Sequence, residues 1–188
     1  MLPGMREVGM NAMHMEPRYV NGEHTWAFLS EDDVYRYELG RVWDADLPLA
    51  LWIMLNPSTA DAYVDDPTIR RVRSFTKREG LGGFVVINQF ALRATNPDAL
   101  LRHNNPTGPE NMGVIGNWLA RDKTDVGLVV AAWGAWVRQG PFRQYRIPIH
   151  QIKAYTDHEV MCLGTTKYGD PRHPLYVKSD TPFIPWRP

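Results

Sequence analysis

Residues 51–68, LWIMLNPSTADAYVDDPT, restrict the fold more than any other stretch of the chain. The apolar run Leu51 to Leu55 is too short and too uniform for a surface helix, and reads as a strand buried on both faces. Pro57 lacks an amide donor and pushes Asn56 out of the helical region, so the strand ends there with a polar amide at its tip. Polar groups at the ends of buried strands are where α/β proteins place their sites. Further on, Asp65-Asp66-Pro67-Thr68 predicts the start of a helix over 69–78, with Asp66 as N-cap and Pro67 at the first helical position.

The same pattern recurs. Phe84 to Ile87 is a buried strand ending in Asn88-Gln89-Phe90, Val126 to Gly134 is a third, and Met161-Cys162-Leu163 a fourth. Between them the spacing predicts a helix over 110–121, with Met112, Ile115, Trp118 and Leu119 on one face, and a short helix over 141–153. Ahead of the central strand, residues 25–29 and 34–39 flank the polar turn Ser30 to Asp33 and predict an antiparallel pair. Strands that are continuous apolar runs, alternating with helices, predict an α/β fold in three layers: a mainly parallel central sheet flanked by helices, with an N-terminal β-hairpin. On that topology Asn56, Asn88, Trp133-Gly134 and the segment around His173 converge on one rim.

Composition sets the outer limits. A chain of 188 residues with 44% hydrophobic content buries one core, which predicts a single domain over 21–188. The methionine-rich start lacks periodicity and predicts a poorly ordered extension over 1–20. Formal net charge is zero, which argues against a general polyanion binder. The balance is uneven, however: residues 126–156 contain no acid but include Arg138, Arg143, Arg146 and Lys153, a candidate local basic face. The single cysteine, Cys162, rules out an intrachain disulfide and any cluster held by several thiolates, consistent with a reducing cytoplasm. No apolar run approaches roughly 18 residues, so no membrane partner is expected. A monomer is the simplest expectation.

The blocks LNPSTAD with DDPTIRR, VINQFALRATNP, AAWG and PRHPLY resemble a widespread domain-of-unknown-function family of bacterial and phage proteins, over roughly residues 25–188. More distantly, the order of blocks is similar to that of the uracil-DNA glycosylase superfamily. Leu55-Asn56-Pro57-Ser58 resembles the strand-end motif whose asparagine positions the attacking water. Ile87-Asn88 resembles the strand end that reads the flipped pyrimidine, and Val130 to Gly134 the structural strand that follows. His173-Pro174-Leu175 resembles the loop whose histidine stabilises the departing base and whose next residues enter the minor groove. The resemblance implies a uracil-DNA-glycosylase-like fold, a DNA or nucleotide-like ligand, and no cofactor or metal.

Breaking an N-glycosidic bond passes through a cationic sugar, and so needs a held water and a donor to the departing base. On this reading Asn56 or the nearby Asp61 holds the water and His173 is the donor. Asn88 reads the pairing edge of the extruded base, with Tyr63 or Phe90 stacking on it. Arg70, Arg93 and Arg172 are candidate phosphate contacts, and Leu175 or Tyr176 enters the groove in the absence of the usual Ser-Pro. Ser58 stands where uracil-specific members carry a bulky tyrosine, which implies room for a pyrimidine substituted at carbon 5. Each feature also has a plainer reading. Asn56 before proline forms turns, Asp65-Asp66 caps a helix, the arginines of 70–78 make a solvated face, and Trp52, Trp118 and Trp133 are core. Two other functions stay open. One is metal-dependent nucleotide or phosphodiester chemistry using Asp61, Asp65, Asp66 and a histidine; the other is a non-catalytic module that binds nucleic acid or a nucleotide.

Overall fold

The computed structural model describes residues 13–15, 18–136, 152 and 154–187. The elements run β1 (Met13–Met15), β2 (Arg18–Val20), β3 (Glu23–Ser30), β4 (Arg36–Val42), β5 (Leu49–Met54), α1 (Pro67–Arg78), β6 (Gly83–Asn88), α2 (Asn111–Leu119), β7 (Val126–Ala131), β8 (Val160–Cys162) and β9 (Ile184–Pro185). The strands make one sheet in the order β1-β3-β4-β6-β5-β7-β8-β9, with β2 also paired to β3.

That sheet corrects the expected architecture. Only β6-β5, β5-β7 and β7-β8 are parallel pairs, whereas β1-β3, β2-β3, β3-β4, β4-β6 and β8-β9 are antiparallel. The molecule is a strand-rich mixed sheet with few helices, and not the mainly parallel, helix-flanked, glycosylase-like three-layer fold. The apolar runs of β5, β6, β7 and β8 do pair in parallel, and the inference failed because it left the antiparallel strands outside the central sheet. β4 is buried along nearly its whole length, yet it runs antiparallel to both neighbours, with Leu39 opposite Val86 on β6. The pair expected over 25–29 and 34–39 corresponds to β3 and β4, which are built into the sheet through β6 instead of standing as an appended hairpin.

The core lies on both sides of β5 and β6. On one face Trp52, Phe84, Val86 and Val130 pack with Ile69, Val72 and Phe75 of α1. Trp52 also donates its indole N–H to Thr76 Oγ1 at 3.1 Å. On the other face Leu51, Ile53, Val85 and Ile87 pack with Ile115, Trp118 and Leu119 of α2. Met112, assigned to that buried face, is instead 45% exposed, and Asn111 is buried in its place. The indoles of Trp26 and Trp118 both donate to the Glu38 carboxylate, at 2.6 and 2.5 Å, tying β3, β4 and α2 together.

α1 begins as its sequence dictates. Asp66 Oδ1 accepts from the Ile69 amide at 2.8 Å, Pro67 occupies the first turn, and Gly80 closes the helix with φ +71°. Arg70, Lys77 and Arg78 lie on an exposed face, and the basic residues also make contacts beyond the helix. Arg71 donates to the Pro174 and Val177 carbonyls, and Arg78 to those of Ser179 and Thr181, which fastens the C-terminal segment onto the helix. Trp186 then donates its amide to the Val160 carbonyl and packs edge-on against Trp133, with ring centroids 4.7 Å apart.

Of the expected disordered start, residues 13–15 and 18–20 are strands on β3, while 1–12 and 16–17 lie outside the described residues. Most of the expected helix over 141–153 and the whole set Arg138, Arg143, Arg146 and Lys153 also lie outside them. Among the described residues no helix is long and apolar enough to cross a membrane.

Candidate functional site

A cavity of about 810 Å³ opens where β5, β6 and β7 end. That is within the size range of small-molecule sites, about 300–1,000 Å³. Three parallel neighbours deliver Asn56, Asn88 and Trp133-Gly134 to its wall, and the turn after β8 brings in Arg172 and His173. Strand polarity alone explains this convergence, since parallel strands end at the same edge of the sheet.

Each polar side chain has a defined state. Asn56 Nδ2 donates to the Pro57 carbonyl at 2.9 Å and to the Ala94 carbonyl at 2.8 Å. With its amide hydrogens committed to backbone, its carbonyl oxygen is left as the acceptor. Asn88 is 1% exposed, and its Nδ2 has no hydrogen-bond partner among the described residues. The β6 end that carries it is fixed from below: Asn111 Nδ2, at the start of α2, donates to the Asn88 carbonyl at 2.9 Å and the Gln89 carbonyl at 3.2 Å. His173 Nδ1 accepts from the Leu175 amide at 3.3 Å, which puts the ring proton on Nε2. Burial pushes the His173 imidazole down to about 4, against a smaller opposing pull from the Asp66 carboxylate, so the ring is neutral at neutral pH. Gly134, at φ +76°, donates its amide to the Pro171 carbonyl at 3.0 Å; a Cβ there would sit 3.6 Å from the His173 Cβ.

The cavity wall does not include every residue that the sequence nominated. Asn56, Ser58, Asn88, Arg172, His173, Leu175 and Tyr176 line it, whereas Asp61, Tyr63, Phe90, Arg70 and Arg93 do not. Asp61 Oδ1 accepts from the Tyr63 and Val64 amides, both at 2.8 Å, and shapes the loop after β5. Tyr63 is half exposed on that loop, and Phe90 is fully buried in the core beneath α2. Arg70 donates to the Asp65 carbonyl at 2.5 Å, and Arg93 to the Asp33 carbonyl at 3.2 Å. Asp65 serves structure: it pairs with Arg41 at 3.0 Å and Arg73 at 2.9 Å. Among the described residues no group of three or more His, Cys, Asp or Glu is arranged to hold a metal ion.

Two charged lining residues had no part in the glycosidic reading of the sequence. Asp66, read as a helix cap and as a carboxylate of the metal-dependent alternative, is also the one carboxylate among the described lining residues. Arg36 opens β4, is 3% exposed and lines the same cavity. The sequence held one faint signal for it, an arginine entering a strand of largely buried residues. Nothing local connects β4 to the end of β5.

Residues 36–175 match the profile of a family described as a protein of unknown function (DUF1643). Comparison with curated proteins gave no match, and comparison with solved structures gave none.

Proposed function

The chain belongs to the DUF1643 family, and from that premise we propose that its cavity binds a pyrimidine nucleobase and that the protein hydrolyses the N-glycosidic bond holding it, in DNA or in a related nucleoside. The observation that carries this reading is Asn88. A buried amide donor without a protein partner is costly, and it is offset when a ligand edge supplies the acceptor. An amide with one donor and one acceptor matches the pairing edge of a pyrimidine.

The other groups fit the same reaction. Water held by the Asn56 carbonyl oxygen adds to the anomeric carbon, and the electron pair of the C–N bond leaves with the base. The Nε2–H of neutral His173 stabilises the oxygen on which the base's charge develops. Asp66 takes the proton that water loses, while Asp61, the alternative holder of the water, lies outside the wall. Half-buried Ser58 leaves space beside the ring, which favours a pyrimidine substituted at carbon 5. Leu175 and the 81% exposed Tyr176 sit at the rim, where they would meet the flanking strand.

The test is release of free base, followed by mass spectrometry, from DNA carrying unmodified, deaminated and 5-substituted pyrimidines, with chelator present. Wild type should release one of these bases, and Asn56→Ala should slow that release by on the order of 100-fold or more. No release from any of these substrates by folded wild-type protein would overturn the catalytic reading and leave a binding module.

A further inference from the structure

We propose that the cavity contains an anion subsite, built on Arg36, which receives a phosphate or carboxylate carried by the bound ligand. The inference rests on the nucleobase reading for the identity of the ligand, but not for its charge. Arg36 Nη1 donates to the Ala60 carbonyl, Nε has no hydrogen-bond partner, and the guanidinium makes no ion pair among the described residues. Burial lowers its pKa to about 9, which still leaves it cationic at neutral pH. Asp66 is the carboxylate whose field it feels most, but that carboxylate caps α1 and lies beyond ion-pair range.

A buried guanidinium with an unused N–H is expensive unless an anion completes it. The contrast with Arg41 on the same strand is direct. Arg41 is equally buried, but Asp65 pairs with it and the Gly40 and Asp61 carbonyls accept from it. The rest of the wall leans the same way: among the described residues Arg36, Lys167 and Arg172 are the cationic lining residues, against the single carboxylate of Asp66. The planar fork of an arginine suits the paired oxygens of a phosphate or carboxylate. Two sources supply that group, a phosphate on the sugar of a nucleotide and an anionic substituent on the pyrimidine ring beside Ser58.

Calorimetric titration of wild type and Arg36→Gln distinguishes them, with deoxyuridine, deoxyuridine 5′-monophosphate, 5-carboxydeoxyuridine and inorganic phosphate as probes. At least one anionic nucleoside should bind wild type about tenfold or more tighter than deoxyuridine, and Arg36→Gln should lose that advantage. The monophosphate leading would point to the sugar phosphate, and the carboxylated base leading to a charged ring substituent. Neutral and anionic nucleosides binding wild type equally would overturn the subsite while leaving the nucleobase reading standing. Phosphate binding without any nucleoside binding would keep the subsite and remove the nucleobase. If Arg36→Gln does not fold, the Arg36 Nε–H resonance of wild type decides, identified by its absence from the Arg36→Lys spectrum. A shift of that resonance on adding inorganic phosphate supports the subsite, and an unmoved resonance overturns it.

Discussion

His173 shows how much one side chain depends on its surroundings. An unfolded chain takes up a proton on this histidine near its ordinary value of 6.5, whereas the folded protein does so only near 4. The unfolded state therefore binds more protons between these values, and stability is full above about pH 6.5 and falls as the pH drops toward 4. The shift is worth about 3 kcal/mol. Denaturant unfolding near neutral pH and at about pH 4.5 should show a larger loss for wild type than for His173→Asn, whose side-chain oxygen still accepts from the Leu175 amide. Parallel losses in the two proteins would mean that His173 titrates normally. The sequence located this histidine by its place after the fourth strand, but its low pKa is a product of burial, which no local pattern encodes.

At the scale of elements, α1 links stability to the cavity through one residue. Asp66→Ala removes the cap on the Ile69 amide and should cost about 1 kcal/mol in denaturant unfolding. It also removes the carboxylate that holds the His173 pKa up, so an NMR titration should find the imidazole of the variant titrating lower still. An unchanged His173 titration would separate the helix start from the site. This helix was legible because capping is local chemistry, set by Asp66 and Pro67 within one turn. The role of its arginines was not legible, because the carbonyls that Arg71 and Arg78 reach belong to Pro174 through Thr181, about a hundred residues further along the chain. Asn111 was missed for the same reason: its partners are the Asn88 and Gln89 carbonyls on another element.

For the whole molecule, the C-terminal segment closes the side of the sheet that carries the cavity. Trp186 is buried, stacks edge-on against Trp133 in the cavity wall, and donates its indole N–H to the Gly169 carbonyl at 3.0 Å. Trp186→Ala should cost about 3–5 kcal/mol in denaturant unfolding. It should also weaken whatever ligand the cavity binds, because Trp133 loses its support. A variant with wild-type stability would mean that Trp186, just after β9, is peripheral to the fold.

The sequence by itself determined what is written in short windows. It marked β5 and β6 by their apolar runs, broke the chain at Asn56-Pro57 just beyond the end of β5, capped α1 with Asp66, and set Asn56, Asn88, Trp133 and His173 after successive strands, from where they reach one cavity. Tertiary structure decided the rest. It set β4 antiparallel against β6, so that the sheet became mixed instead of mainly parallel. It sent Phe90 into the core and Asp61 into a loop turn, and it drew Asp66 and Arg36 into the wall. Pairing partners and side-chain environment depend on contacts between residues far apart in the chain, and a strand's own run does not say which further strand joins its edge.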